Sequence, residues 1–487
     1  MKVLHKLIDL GNMQPHGESL LNRTVLLVLV FLFATFLTSA QAPAPAGQPQ
    51  GDPSDNSPST AEAAQKIIRQ LVAGEFSKIE AMYDERMSAA LPPGKLAESW
   101  PNLIQQEGQF QSIIDTQTIR VQGLEVVKLE CKFANATLDA TVAFDPDGKI
   151  AGLGFRPHQE TESPWTPPPY AKPSSFTELP LTLVNGSFEL PGTLTVPKGD
   201  GPFPAIVLVA GSGPHDQDET IGPNKGFKDL AFGLASKGVA VFRYTKRTEK
   251  YGEKSADDPA RLTVDDEVIS DARAAVALVA KQPKINPKQV FLLGHSLGAY
   301  LAPRIATGDS QIAGIAILGA NTRPIEQVIV EQIHYLSGKS GAPADESARQ
   351  IADAEAAAKQ IESPNLQPSD AVSLLGSKTY GAYWLDLRGY DPVKTASQLK
   401  IPILVLQGGR DYQVTNANFE EWNKALAKRK NATLKSFPDL NHLFMPGQGV
   451  STPAEYGNPN HVSEEVINTV AMWVLPGESP GHLIQKP

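Results

Sequence analysis

Apolar positions recur along this chain in two alternating rhythms. Short apolar runs at 239–244, 290–293, 312–318 and 402–407 read as buried strands. Between them, helical spacing runs from Phe227 to Lys237, Val264 to Lys281, Phe419 to Lys428 and Ser463 to Val474. Strand patterns near 181–184 and 188–196 open the region. Such alternation predicts a mostly parallel sheet covered by helices on both faces. One interval breaks it. Helical patterns from Glu326 to Leu336 and Glu346 to Ile361, then an aromatic group, Tyr380, Tyr383 and Trp384, separate the strand ending near Leu318 from that starting near Pro402. This is far more chain than a crossover needs, so a helical cap is expected at about 321–398. Its aromatics either line an acyl or alcohol pocket or pack the cap onto the core.

The first third reads differently. Ile67, Ile68, Leu71, Val72, Phe76, Ile79 and Met82 are spaced as in helices, within a helical region of about 61–113. Alternating strand patterns fill 118–155, with a turn at Asp145-Pro146-Asp147-Gly148. Helices followed by a meander predict a small α+β domain over 61–157. Asp84, Glu85 and Arg86 are expected on its solvated helix face. Proline-rich stretches at 41–60 and 158–177 read as linkers, which leaves 178–487 to the larger domain. Residues 25–37 are apolar, follow Lys2, Lys6 and Arg23, and precede the small-residue sites Thr38-Ser39-Ala40 and Ala40-Gln41-Ala42. This predicts a signal peptide at 1–40 and a periplasmic or secreted protein. An uncleaved segment would instead tether the chain to a membrane.

Composition narrows the classes. The 487 residues are 41% hydrophobic and 20% charged, which allows a sizeable core. A net charge of −9 argues against nucleic acid as a partner, because that needs a basic face. Cys131 is the one cysteine, so no intrachain disulfide forms. No metal-spaced Cys/His cluster and no phosphate-cradling loop is present in the sequence. No metal or cofactor is expected.

The chemistry centres on Gly294-His295-Ser296-Leu297-Gly298, which follows a strand pattern and opens a helical one. Strand, sharp turn and helix are the context of a nucleophile elbow, so Ser296 is the expected nucleophile. Its partners should follow in the order acid, then histidine. Asp411 comes just past the strand Ile403 to Gln407, and His442 follows the strand Ala432 to Phe437. Asp386, Asp391 and Asp439 are less well placed as the acid. His461 and His482 read as surface residues, and His295 as a packing or orienting one. An oxyanion hole needs two backbone N–H donors. Leu297 should supply one. Ser212, in Gly211-Ser212-Gly213-Pro214 after the strand Ala205 to Val209, should supply the other.

On Gly211-Ser212-Gly213-Pro214, Gly294 to Gly298, and Asn441-His442-Leu443-Phe444, the chain over roughly 178–475 resembles the α/β-hydrolase superfamily. Within it, the chain looks like bacterial carboxylesterases related to the cinnamoyl-esterase and dienelactone-hydrolase-like groups. Ala210 stands where many members have histidine. Serine replaces the cysteine of true dienelactone hydrolases. The 61–157 region resembles the small domain that precedes some exported hydrolases, with a nuclear-transport-factor-like fold. The resemblance implies cofactor-free cleavage of small carboxylic esters (class EC 3.1.1) through a serine acyl-enzyme. Serine peptidase, thioesterase or acyltransferase chemistry on the same fold is the alternative. A non-catalytic binding protein is the alternative from another class.

Overall fold

The structure is a computed structural model describing residues 60–121, 124–158, 165–339, 344–374 and 377–475. The expected signal peptide, nearly all of the 41–60 linker, and His482 lie outside these residues. The chain divides into two compact units, one comprising the described residues up to His158 and the other those from Trp165.

The first unit packs helices α1 (Thr60–Val72), α2 (Phe76–Glu80), α3 (Glu85–Ala90) and α4 (Lys95–Glu107) on an antiparallel meander. Its strands are β1 (Phe110–Val121), β2 (Leu124–Phe133), β3 (Thr137–Phe144) and β4 (Ile150–Pro157), in the order β1-β2-β3-β4. Alternate residues Val127, Leu129, Cys131 and Phe133 point inward against Ala64, Ile67, Ile68 and Leu71 of α1. Two sequence expectations are corrected. β1 begins at Phe110 instead of near 118; it is a sheet edge with register irregularities on both sides of Ser112 and Ile113, and these disrupt the alternation. Asp84 is buried instead of solvated, because its carboxylate caps α3 by accepting the Met87 N–H at 2.6 Å.

In the second unit the strands are, in order, β5 (Phe176–Pro180), the ribbon β6 (Leu183–Asn185) and β7 (Phe188–Leu190), β8 (Gly192–Pro197) and β9 (Phe203–Val209). Then come the two-residue β10 (Thr220–Ile221) and β11 (Asn224–Lys225), β12 (Ala240–Tyr244), β13 (Ile285–His295) and β14 (Ile312–Leu318). The ribbon β15 (Ala371–Leu374) and β16 (Ser377–Tyr380), β17 (Ile403–Gly408) and β18 (Ala432–Phe437) complete the set. Eight of them form one sheet, ordered β18-β17-β14-β13-β9-β12-β8-β5. The six from β18 to β12 run parallel, and β8 is antiparallel to both of its neighbours.

The helices are α5 (Gly226–Ala235), α6 (Arg247–Tyr251), α7 (Ser270–Val279), α8 (Leu297–Ala306), α9 (Ile325–Ser337), α10 (Ala344–Glu362), α11 (Gly381–Leu387), α12 (Pro392–Gln398), α13 (Asn416–Leu426) and α14 (Glu464–Val474). The pleat divides the core. Ala205, Val207 and Val209 of β9 face α7 and α8, while Ile206 and Leu208 face α5 and α14. This is why the strands read as unbroken apolar runs. The expected cap is the insertion from α9 to α12. It holds a small antiparallel ribbon as well as helices, and Trp384 is buried in the larger core.

Residues 165–175, expected to belong to a spacer, pack on the second unit. Trp165 donates its indole N–H to Asp229 at 3.0 Å, and the Tyr170 hydroxyl donates to the Val462 carbonyl at 2.7 Å. His461, expected at the surface, is half-buried with its Nδ1 3.0 Å from the fully buried Asp229 carboxylate.

Candidate active site

The turn after β13 is shaped by close backbone approach. A Cβ on Gly294 would sit 2.2 Å from the Gly298 carbonyl oxygen, and one on Gly298 2.2 Å from the Val209 carbonyl oxygen. Only glycine fits either position. Between them Ser296 takes φ +51° and ψ −113°, a conformation that a non-glycine residue holds only when its surroundings enforce it. Its N–H donates to the Leu318 carbonyl at 3.0 Å, and its own carbonyl accepts from Tyr300 at 2.9 Å in the first turn of α8. Ser296 therefore stands at the mouth of α8, and the Leu297 N–H lies at the helix's positive end.

The next parallel strands bring the partners to the same sheet edge. Gly319, just past β14, has φ +61°, and a Cβ there would lie 3.3 Å from His442 Nδ1. Asp411 follows β17 and is buried. Its Oδ1 accepts the N–H groups of Gln413 (2.8 Å) and Val414 (2.9 Å), and its Oδ2 faces His442 Nδ1 at 2.7 Å. A carboxylate only accepts, so Nδ1 carries a proton and Nε2 is turned away from Asp411. The loop that carries His442 is braced by Asn441, whose side-chain oxygen accepts from Leu443 at 3.0 Å and Met445 at 3.1 Å. Two of the alternatives weighed for the acid have other tasks. Asp391 caps α12, and Asp386 pairs with Arg304 at 2.6 Å.

The loop after β9 lies against the serine. A Cβ on Gly211 would be 3.2 Å from the Ser296 Cβ. Among the described residues, neither the Ser212 nor the Gly213 N–H donates a hydrogen bond. The Gly211 N–H donates to the buried Glu219 carboxylate at 2.7 Å.

Three side chains of this region escaped the sequence reading. Glu219 Oε1 also faces His295 Nδ1 at 3.0 Å, and His295 Nε2 donates to the His442 carbonyl at 3.0 Å. Both ring nitrogens meet acceptors, so His295 is doubly protonated and forms a buried ion pair. Burial alone would lower the imidazole pKa, but the Glu219 carboxylate outweighs it and holds it above its ordinary value. Burial would likewise raise Glu219, and the His295 charge brings it below the ordinary range. One buried pair thus joins the loop after β9, the serine turn and the histidine loop. Lys246, following β12, donates from its ammonium to the carbonyls of Gly211 (2.9 Å) and Gly213 (3.0 Å). Half-buried His215, whose pKa burial pushes down, donates from Nε2 to the Ser212 carbonyl at 2.9 Å. No spacing rule connects these residues to the serine, so the sequence offered no signal for them.

Two family profiles match the chain. One is described as a protein of unknown function (DUF3887), over residues 64–153, and the other as serine aminopeptidase, S33, over residues 224–446. Esterase EstD of Thermotoga maritima is 40% identical over 409 residues, which cover 84% of this chain and 94% of that protein. Dipeptidyl aminopeptidase BIII of Pseudoxanthomonas mexicana is 27% identical over 250 residues, 51% of this chain and 31% of that protein. Among solved structures, Est1E from Butyrivibrio proteoclasticus matches 61% of this chain and 97% of its own, with 15% identity and a TM-score of 0.41.

Proposed function

We propose that this chain, which belongs to the EstD family of carboxylesterase-type α/β-hydrolases, cleaves small carboxylic esters through a triad of Ser296, His442 and Asp411. The observation that carries the reading is the 2.7 Å contact between His442 Nδ1 and Asp411, on strand ends beside the strained Ser296 turn. In this reading His442 Nε2 takes the Ser296 proton as Oγ attacks the ester carbonyl carbon. The N–H groups of Ser212 and Leu297 hold the resulting oxyanion. Asp411 stabilises the imidazolium, which then protonates the departing alkoxide as the C–O bond breaks. Water, deprotonated by His442, attacks the acyl-enzyme. Collapse of the second oxyanion releases the acid and returns the proton to Ser296.

The test is hydrolysis of p-nitrophenyl esters from acetate to decanoate by the wild type and Ser296→Ala. Turnover should vanish in the variant, and the chain-length profile sizes the acyl pocket. Turnover retained by Ser296→Ala overturns the triad. Amino-acyl p-nitroanilides cleaved faster than every ester would move the assignment to the peptidase chemistry named for the S33 profile. We also read residues 1–40 as a cleaved export signal. Its support is the apolar run 25–37 ahead of small-residue sites. Sequencing the N-terminus of the native protein should begin just after Ala40 or Ala42, and a retained Met1 overturns cleavage.

A further inference from the structure

The oxyanion hole assigned above needs a donor from a Gly-Ser-Gly loop, the kind of segment least able to hold itself still. Something must orient the Ser212 N–H before substrate arrives. The peptide plane supplies the means. Across a trans peptide the carbonyl of one residue and the N–H of the next point in opposite directions, so holding the Gly211 carbonyl aims the Ser212 N–H.

Lys246 holds that carbonyl. The ammonium donates to Gly211 O at 2.9 Å and Gly213 O at 3.0 Å, and Glu267 Oε1 lies 2.9 Å away as its ion-pair partner. Its residue is 4% exposed, and its own N–H donates to the His215 carbonyl at 3.0 Å. A flexible surface lysine would be a loose tether. This one is buried and ion-paired, and it follows β12, the strand beside β9. From the opposite edge, the Glu219 carboxylate takes the Gly211 N–H at 2.7 Å. The peptide planes on both sides of Gly211 are therefore fixed by buried charged groups. Pro214, next in the loop, has no N–H to offer.

We propose that Lys246 is a positioning residue of the oxyanion hole, holding the Gly211 and Gly213 carbonyls so that the Ser212 N–H faces the reacting carbonyl. This rests on the triad and oxyanion assignments above. Glu267 neutralises the ammonium at 2.9 Å, so Lys246 acts by orientation more than by its field. Its loss is therefore felt in the tetrahedral state and not in ester binding.

The experiment uses the full chain with Lys246→Met and with Lys246→Met/Glu267→Gln, the latter removing the stranded carboxylate. The readouts are kcat, KM and the affinity of an alkyl trifluoromethyl ketone, whose serine hemiketal carries the oxyanion. The proposal expects kcat to fall about 100-fold in both variants, the scale of one lost donor. KM should stay within about threefold of the wild type, and ketone affinity should fall in step with kcat. A folded variant with unchanged kcat and ketone affinity overturns it, as does a loss confined to KM. A crystal structure of the wild-type ketone adduct decides independently of variant folding. The hemiketal oxygen should accept from Ser212 N while Lys246 still holds Gly211 O, and an adduct lacking either contact overturns the proposal. Ser296→Ala, run in parallel, separates failures: activity surviving there sinks the triad reading itself, whereas its loss beside an unaffected Lys246→Met sinks only the lysine.

Discussion

Ser296 sits at φ +51° because two glycines and a helix start leave it no other place. A methyl on Gly298 would lie 2.2 Å from the Val209 carbonyl oxygen, so Gly298→Ala must push α8 away from β9. We expect that variant to lose most esterase activity and roughly 2–4 kcal/mol of stability, measured by urea unfolding. Asp411→Asn leaves a side chain that cannot enforce the Nδ1–H tautomer. It should lower kcat by about 10³- to 10⁴-fold with the fold intact by circular dichroism. Glu219→Gln tests the buried pair through its pH dependence. The raised His295 contributes stability that is fully present below about pH 6.5 and lost as pH rises through its folded-state pKa. The lowered Glu219 contributes stability that is present above about pH 4.3 and lost as pH falls through its folded-state pKa. The gap between wild type and Glu219→Gln should therefore be widest between about pH 4.5 and 6.5 and narrow on either side. A gap independent of pH would mean that the pair is held as neutral partners.

At the level of elements, legibility followed burial. Strands β9, β13, β14 and β17 are covered on both faces and read as continuous apolar runs, and the glycine-bounded serine marked where β13 ends. Asp411 could be singled out because it follows such a strand, and His442 because it comes in the loop after the next one, the half-exposed edge strand β18. β1 was partly hidden, since an edge strand with two irregularities packs Phe110 and then Ile113 on the core, three residues apart instead of two or four, which breaks the alternation. The β15–β16 ribbon was missed because four-residue strands carry too few periods to register. Lys246 acts on backbone groups of a loop 35 residues earlier, and that contact exists only once β9 and β12 are paired. Glu219 and His215 bond backbone groups of their own loop, and such irregular contacts leave no period in the sequence. The insertion is tied to the serine's own helix. Arg304 of α8 donates to the Asp386 side chain at 2.6 Å and to its carbonyl at 3.0 Å, and the Tyr390 hydroxyl donates to the Tyr300 carbonyl at 2.9 Å. Asp386→Ala should loosen α11 and α12, seen as faster amide exchange over 381–398 with exchange in β13 unchanged.

At the scale of the molecule, the described residues hold two centres of stability, the core of the α+β unit and the divided core around the large sheet. Calorimetry should resolve two transitions. Asp229→Ala, which strands the Trp165 indole N–H, the His461 ring and the Val462 N–H, should lower only that of the sheet unit, by about 3 kcal/mol. That carboxylate also bears on how such a gene can be cut and recombined. The stretch from Trp165 to Ser175 looks like expendable joinery, yet its indole lies edge-on to Phe232, 5.2 Å between ring centres, and its tyrosine reaches to the start of α14. A fragment that starts at β5 would leave that aromatic face bare to water and invite self-association, whereas one that keeps Trp165 carries its own cover. The unit that can be inherited, transplanted or fused to another partner therefore begins upstream of its first strand.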